Sequence, residues 1–406
     1  MYLLDVERVA VADSERVRIQ GRVRYETDGA EELVWFEVPE RYAQGLATSG
    51  NPWCVALLPL AVTLKEPLRI YAPVDRTLLE GCRAIQEIWA AWYPQLAPVA
   101  VEAESQSLSG VEEAGRTGLF FSGGVDSFAT LLEFQRSPTH RSDRVTDLLL
   151  IQGADIPLSD SSAFHRLRTA VAEVAEAFDT SLVDLTTNLR ETRWRVTDYP
   201  HLSHGALLAG CGLAMENRFS RLVIASSAPY YRLQPYGSHP ITDPLYSSQR
   251  TRIRHHGARL DRPQKIASIA HDPVVLEHLR VCWLGGNDSN CGRCPKCLLT
   301  MVGLELSGSL DRCKTLPGPS GLKALRQLYL ESGGTYSAYF VAKIFSGRAR
   351  RAGRGDLVRL LERAIRRSDR LRLAVDAVSA LGRLGLLPER VAGGVRWRLL
   401  RSSVRY

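Results

Sequence analysis

The stretch Gly118-Leu119-Phe120-Phe121-Ser122-Gly123-Gly124-Val125-Asp126-Ser127 predicts a buried strand that runs into a glycine turn and then into a helix. Apolar residues at helical spacing follow from Phe128 to Phe134. Because glycine has no Cβ, paired glycines let backbone N–H groups approach an anion. The N-terminus of the following helix adds unpaired donors and a favourable dipole. Residues Ser122–Ser127, which we call the phosphate loop, are therefore predicted to hold phosphate.

The phosphate loop differs from the two commonest phosphate motifs. No Lys-Ser/Thr pair follows the glycines, as it would in a P-loop, and the spacing is not the dinucleotide G-x-G-x-x-G. The alternative is a tight turn in which Asp126 and Ser127 only cap the helix. The strand before the turn and the helix after it favour the phosphate interpretation.

Alternating strand and helix patterns extend over residues 113–312 and predict a Rossmann-like α/β domain with a parallel sheet. Further strands are expected over residues 147–153, 180–185 and 221–227. In an open α/β sheet, ligands bind beyond the carboxyl ends of the strands. The phosphate loop should therefore face a crevice formed by several strand ends.

Residues 1–112 are predicted to form a separate, mostly β module. Alternation in Arg16–Tyr25 indicates a half-exposed strand, and the apolar run Trp53–Leu58 indicates a buried one. A helix is expected over Leu78–Trp92, and the small polar segment Glu102–Gly110 is interpreted as a linker. The module shows no catalytic constellation, so we expect it to serve packing, oligomerisation (for example as a homodimer) or partner contact.

The C-terminal region, residues 313–406, is predicted to be helical and basic. From Lys343 onward, 17 Lys and Arg face 5 Asp and Glu, a net charge of +12 against +8 for the 406-residue chain. A helix is expected over Asp356–Gly385 and a small hairpin over Val391–Arg398. The basic surface favours RNA or an acidic protein as partner, and a solvated helical face is the alternative.

Seven arginines make up that predicted anion-binding surface. They are Arg350, Arg351, Arg354, Arg366, Arg367, Arg370 and Arg372.

A metal site is predicted from four closely spaced cysteines, Cys282, Cys291, Cys294 and Cys297. The two-residue gaps in Cys291-Gly292-Arg293-Cys294-Pro295-Lys296-Cys297 fold three thiolates toward one point. Four sulfurs at about 2.3 Å suit a structural Zn²⁺ with no open coordination position. Iron–sulfur ligation is the weaker alternative.

The other four cysteines are expected to lie outside the metal site. Cys54 and Cys82 are interpreted as small buried apolar residues, and Cys211 and Cys313 as unligated. Eight cysteines in a chain of this length do not form a disulfide framework, and the pattern indicates a reducing compartment. The start of the chain has no basic region followed by an apolar run, and no segment is apolar enough to span a bilayer. We therefore expect a cytoplasmic protein without membrane contact.

The hexapeptide Ser122-Gly123-Gly124-Val125-Asp126-Ser127 resembles the S-G-G-x-D-S loop of the PP-loop ATP pyrophosphatase superfamily. Together with the cysteines, and with Cys291-Gly292-x-Cys294-x-x-Cys297 in particular, it resembles the 7-cyano-7-deazaguanine synthases of the queuosine pathway. The resemblance covers residues 115–312. It implies an adenine nucleotide alpha-hydrolase fold that uses ATP, Mg²⁺ and Zn²⁺.

The resemblance also implies a reaction and site residues. Members of that family adenylate a carboxylate with release of pyrophosphate, capture ammonia as an amide, adenylate again and eliminate to a nitrile. By this likeness the whole phosphate loop, Val125 included, would bind ATP, and Asp126 would help to hold Mg²⁺. The catalytic residues would be Asp126, Ser127 and Lys265, the last in a similar helix start.

The chain departs from the family where the acid would bind. Asp198-Tyr199-Pro200-His201 stands where an Arg-Asn pair is usual, and Thr300 stands where an arginine follows the last cysteine. After the second strand, Gly153-Ala154-Asp155-Ile156 replaces a Tyr-Gly-Gln-type sequence. These differences imply a divergent ligase with a related or different small acid, which need not be a 7-deazapurine, and with ammonia or another amine, such as a protein amine, as acceptor.

The irregular segment 228–245 is interpreted as a functional lid rather than a plain surface loop. Arg232 is a candidate for phosphate charge, and His204, His239 and Asp243 are lower-ranking candidates for acceptor contact. Two other functions stay open. One is an RNA-modifying thiolase that uses Cys211 or Cys313 and holds RNA with the basic tail. The other is a non-catalytic nucleotide-binding subunit.

Overall fold

A computed structural model describes residues 1–106, 115–136, 144–282, 289–330 and 337–383, together with Leu386, Pro388 and Val391. The strands are β1 (Tyr2–Ala10), β2 (Arg16–Arg24), β3 (Glu31–Pro39), β4 (Leu68–Asp75), β5 (Val101–Gln106), β6 (Thr117–Phe120), β7 (Asp147–Gln152), β8 (Ser181–Thr187), β9 (Arg221–Ala225) and β10 (Arg252–His256). The α-helices are α1 (Asn51–Leu64), α2 (Arg76–Trp92), α3 (Val125–Arg136), α4 (Ser161–Ala177), α5 (His204–Leu213), α6 (Arg262–Ile269), α7 (Pro273–His278), α8 (Pro295–Leu306), α9 (Ala338–Arg351) and α10 (Gly355–Arg383). In these ranges no helix combines the length and the apolar character needed to cross a membrane.

The chain divides into two compact units. Unit 1 comprises Met1–Ser122, Asp126–Pro229 and Pro235–Arg259, and it carries every strand of the described ranges. Unit 2 comprises Gly123–Val125, Tyr230–Gln234 and the residues from Leu260 onward, and its regular elements are the helices α6 to α10.

Unit 1 is built on one sheet of ten strands in the order β10-β9-β6-β7-β8-β3-β2-β1-β4-β5. The five strands from β10 to β8 are parallel to one another. Strands β3, β2 and β1 continue the sheet with antiparallel pairing, and β4 and β5 add parallel pairs at its far edge. The prediction of an α/β fold with a parallel sheet is confirmed, although β10 was not among the predicted strands.

The N-terminal residues differ from the predicted separate module, because they share the sheet and the core of the α/β part. Phe36 and Glu37 of β3 pair with Thr187 and Thr186 of β8. The indole N–H of Trp194 donates to the carbonyl of Ala56 in α1 at 2.7 Å. The division into two units therefore does not follow the predicted boundaries at 112 and 312.

The apolar run Trp53–Leu58 was predicted as a buried strand, and this is wrong. It forms the centre of α1, in which every residue from Asn51 to Val62 is buried. A helix buried on all sides shows no amphipathic period, so the run could not be distinguished from a buried strand by pattern alone. Pro52 in the first turn was the available signal for a helix.

Two further predictions concern the ends of segments. The predicted linker Glu102–Gly110 begins with β5, and its residues after Gln106 lie outside the described residues. The helix predicted over Asp356–Gly385 is confirmed as α10. The predicted hairpin Val391–Arg398 lies outside the described residues except for Val391.

Candidate nucleotide site and cysteine cluster

Four residues, 121–124, connect β6 to α3, and the phosphate loop consists of the last three of them and the first three residues of the helix. Gly123 has φ +73°, in the left-handed region where a Cβ is strained, so glycine is required there by backbone conformation. Ser122 is exposed, whereas Ser127 is only 5% exposed. Asp126 and Ser127 lie in the first turn of α3. The predicted strand, turn and helix are thus all present.

The sheet of unit 1 changes direction beside β6. The chain proceeds from β6 to β7 and β8 on one side, and then returns to place β9 on the other side of β6. Such a switch point leaves a crevice at the carboxyl ends of the two strands, and ligands of open α/β sheets bind there. The phosphate loop begins directly after β6, and the small polar residues Ser226 and Ser227 follow β9.

Within unit 2, the loop residue Gly123 is tied to the segment that leads into the cysteines. Its carbonyl accepts a hydrogen bond from the backbone N–H of Arg280 at 2.8 Å. Asn290 holds the same segment, since its Oδ1 accepts from the N–H groups of Val281 at 2.8 Å and Cys282 at 3.2 Å. Its Nδ2 donates to the carbonyl of Leu279 at 2.8 Å. Arg280, which donates to the phosphate loop, therefore lies two residues before Cys282 in a segment that Asn290 holds in place.

The four predicted cysteines converge. Their sulfur atoms all lie within 4.8 Å of one another, and the Sγ–Sγ distances are 3.8 Å for Cys282–Cys294 and 4.0 Å for Cys291–Cys297. A tetrahedron of sulfurs at about 2.3 Å from one ion has edges of about 3.8 Å. These separations are far too long for disulfides, and they fit a single ion better than a cluster with one iron per thiolate. The donor set can therefore hold one metal ion such as zinc.

Backbone groups also prepare the cluster for a cation. The N–H of Cys294 points to the sulfur of Cys291 at 3.3 Å, and the N–H of Cys297 points to the sulfur of Cys294 at 3.4 Å. Hydrogen bonds from the Cys297 thiol and backbone outweigh burial and lower the pKa of the Cys294 thiol to about 5. Gly292 has φ +69°, and a Cβ there would lie 2.4 Å from Pro317, so only glycine fits this turn.

Lys265 lies on α6 in unit 2 and is 2% exposed. Asp261 caps this helix in a capping box with Gln264. Asp261 also accepts from Arg348 at 3.3 Å. A fully buried lysine is unusual, and this burial keeps Lys265 a candidate for function.

The remaining candidates are Arg232 and the lower-ranking residues Asp243, His239 and His204. The guanidinium of Arg232 lies 3.8 Å from the ring centroid of Phe340. Asp243 is 0% exposed and accepts from Ser238 Oγ at 2.7 Å and from the backbone N–H of His239 at 3.1 Å. His239 is 4% exposed, and burial lowers its pKa. Asp243 and His239 thus stabilise the segment 235–259 internally, whereas His204 is half-buried at the start of α5.

Sequence reasoning missed His255, at the end of β10. Its Nδ1 lies 2.7 Å from Asp243 Oδ2, and both side chains are buried. No sequence pattern predicted this pair, because β10 itself was not predicted and the two residues lie 12 positions apart.

Sequence reasoning also missed a cluster beyond the ends of β7 and β8, which we call the Tyr199 cluster: Asp155, Arg190, Tyr199 and Tyr236. The Arg190 guanidinium lies 4.1 Å from the centroid of the Tyr199 ring and donates to the carbonyl of Ala154. Burial, with a smaller contribution from Asp155, raises the pKa of both tyrosines. Tyr199 begins a π-helical turn, a form common at functional sites. Two of the stretches that depart from the deazaguanine synthase pattern thus meet here.

The cysteines outside the cluster are buried. Cys54 and Cys82 are 0% exposed, and their sulfurs lie 3.7 Å apart between α1 and α2. Cys211 is 0% exposed and Cys313 5% exposed. Burial raises the pKa of the Cys211 thiol, which opposes formation of a nucleophilic thiolate.

Comparison of the chain with protein-family models, with curated proteins and with solved structures finds no significant match. The features that bear on function are therefore residues of the chain itself: the phosphate loop at the switch point of the sheet, the four-thiolate cluster and the Tyr199 cluster.

Proposed function

We propose that this protein is an ATP-dependent carbon–nitrogen ligase of the PP-loop type. It would adenylate a small carboxylic acid with release of pyrophosphate and transfer the acyl group to ammonia or another amine. The observation that carries this proposal is the S-G-G-x-D-S loop at the topological switch point, with a left-handed glycine and a helix N-terminus directly after it.

The reaction requires activation of the acid, because a carboxylate is a poor electrophile. Its oxygen attacks the α-phosphorus of ATP, the bond to the β-phosphate bridging oxygen breaks, and pyrophosphate leaves. The amine then adds to the acyl carbon, loses a proton and displaces AMP. In a nitrile-forming branch the amide oxygen is adenylated by a second ATP and leaves in the second AMP.

The residues of the phosphate loop have defined parts in this proposal. Backbone N–H groups of Gly123 to Ser127 and the Ser122 hydroxyl would hold the β- and γ-phosphates, and thereby stabilise the departing pyrophosphate. Asp126 would hold Mg²⁺, an ion that prefers carboxylate and phosphate oxygens and neutralises phosphate charge. Lys265 is proposed to stabilise charge that develops on phosphate.

The Tyr199 cluster is the proposed site for the acid. It combines a guanidinium, which binds a carboxylate with two parallel hydrogen bonds, with two tyrosine rings that can stack on a planar substrate. Arg190 is exposed, as a residue that meets a substrate from solvent must be. This composition favours a planar aromatic or heteroaromatic acid over an aliphatic one.

The test is release of pyrophosphate and AMP from ATP in the presence of Mg²⁺, ammonium and a panel of planar carboxylic acids. Wild type should form the two products in equal amounts with at least one acid. Ser122→Ala and Asp126→Ala should lose most of this activity. Ser162→Ala, in the first turn of α4, is a matched control and should retain it, because its exposed hydroxyl lies outside the proposed site. Full activity in both loop variants would refute the assignment.

A further inference from the structure

The structure sorts the seven arginines of the predicted basic surface into groups. Three of them lie within 3.2 Å of a carboxylate: Arg350 of Glu362 at 2.5 Å, Arg354 of Glu305 and Asp356 at 2.8 Å each, and Arg372 of Asp369 at 3.2 Å. Each of these three arginines is therefore neutralised, at least in part, by a neighbouring carboxylate.

Three of the remaining arginines line a cleft within unit 2. The cleft has a volume of about 360 Å³ and lies between the 3₁₀ segment Pro319–Gln327 and α10. Its walls are formed by Arg326, Arg363, Arg366, Arg367, Arg370 and Leu371. Five guanidinium groups thus surround one cleft, with no carboxylate in its lining.

The charge of this arginine cleft is largely uncompensated. Among the described residues, only Arg366 of the five has a carboxylate within ion-pair distance, a 3.4 Å contact with Glu362. The Nε of Arg367 is buried and has no hydrogen-bond partner in the described part of the chain. The residues from 384 to 406 contain five arginines and one glutamate, so their composition adds no net negative charge. A buried donor without a partner lacks an acceptor that a ligand could supply.

The spacing of the arginines indicates a linear ligand. Arg363, Arg367 and Arg370 follow one face of α10 at intervals of one turn, which is about 5.4 Å, so the row spans about 10 Å. A partner protein would need an apolar centre to its interface, and Leu371 is the single apolar residue in the lining. A regular row of forked cations instead matches a polymer with regularly spaced phosphates.

We infer that the arginine cleft binds the phosphodiester backbone of single-stranded nucleic acid. Its guanidinium groups lie in a row of about 10 Å and bind phosphate rather than base, so binding is independent of sequence. This site is separate from the proposed ligase chemistry and requires neither ATP nor acid.

The test is fluorescence anisotropy with a labelled 20-nucleotide single-stranded RNA of mixed sequence, without ATP, over 50–300 mM KCl. Each phosphate contact on a single strand contributes about −0.7 to the slope of log K against log salt. Five contacts predict a slope of about −3.5 for the wild type. The double variant Arg363→Gln/Arg367→Gln should bring the slope to about −2 and weaken binding about tenfold or more at 50 mM KCl, with a smaller loss at 300 mM.

The matched control is Arg350→Gln/Arg372→Gln. It removes two positive charges, as the test variant does, but it removes them from arginines that already have carboxylate partners. It should keep the wild-type slope. Circular dichroism on both variants checks that α10 is retained. Equal losses in both variants, or no RNA binding by wild type at 50 mM KCl, would overturn the proposal. So would competition by poly-glutamate at lower concentration than by RNA, because the cleft would then suit acidic protein. Both variants should retain pyrophosphate release, so this result and the ligase test fail independently.

Discussion

The two units are stabilised by different means. Unit 1 has a ten-stranded sheet, an extended apolar core and buried carboxylates that each hold more than one arginine. Asp147, for example, is 0% exposed and binds Arg116 at 2.8 Å and Arg218 at 2.6 Å. Unit 2 consists of helices, among them α10, and contains four thiols that repel one another once ionised, unless a cation joins them. We therefore expect unit 1 to fold without metal, and unit 2 to depend on it.

This difference in the source of stability explains why one chain contains both a large sheet and a cysteine cluster. A large sheet with a continuous core tolerates loops that vary, and function can be placed at its strand ends. A helical unit without a sheet in its described part gains stability from a metal, whose binding free energy becomes folding free energy.

The largest effect is expected from removal of the metal. Cys294→Ser should abolish binding of about one zinc per chain and unfold much of unit 2, since structural zinc contributes on the order of 10 kcal/mol in small domains. Elemental analysis and thermal melting measure this. Cys313→Ser, a buried cysteine outside the cluster, should keep the metal. A brown protein with iron and acid-labile sulfide would contradict the single-ion assignment.

The corresponding test of unit 1 is Asp147→Asn. The substitution removes a fully buried carboxylate and leaves Arg116 and Arg218 without this partner. It should destabilise the protein by about 3 kcal/mol. Denaturant unfolding measures the change, and the zinc content should stay at the wild-type value. Loss of zinc in this variant would show that the two units do not depend on separate sources of stability.

Arg190→Ala should raise the KM for the acid about tenfold or more, because a bidentate charge-assisted hydrogen bond is lost. The KM for ATP should not change, since Arg190 lies in the Tyr199 cluster and not in the phosphate loop. Arg195→Ala, an exposed arginine nearby in the chain, is the control. A change in the KM for ATP alone would remove the cluster from acid recognition.

The smallest effect on stability is expected from Gly123→Ala. A left-handed alanine costs about 1–2 kcal/mol, and no atom lies closer than 3.6 Å to the added Cβ. Gly353→Ala is a matched control, because Gly353 has φ +69° and open space around it. Both variants should lose similar stability in denaturant unfolding, but only Gly123→Ala should weaken ATP binding. Equal ATP affinity in the two variants would separate the loop from the nucleotide.

The sequence predicts those strands and site residues that depend on neighbouring positions in the chain. It does not predict those that depend on contacts between distant positions. The phosphate loop and the cysteine turn are each formed by one continuous stretch of sequence. Local residues therefore determine their geometry, including the left-handed glycines at 123 and 292. Strands β6 to β9 are short apolar runs bounded by turns and were predicted. The contact of Arg190 with Ala154 in the Tyr199 cluster and the pairing of β3 with β8 join residues more than 30 positions apart, and no periodicity encodes them. The helix α1 was misassigned because burial on all sides removes its period.

The central claim is that the phosphate loop binds ATP. Isothermal titration calorimetry with ATP and Mg²⁺ on wild type, Asp126→Ala and the control Ser162→Ala tests it without knowledge of the acid. We predict saturable binding of one ATP per chain in wild type and Ser162→Ala, and at least tenfold weaker binding in Asp126→Ala, since a magnesium ligand beside the phosphates is lost. Equal affinity in all three proteins, or no binding by wild type, would contradict the account.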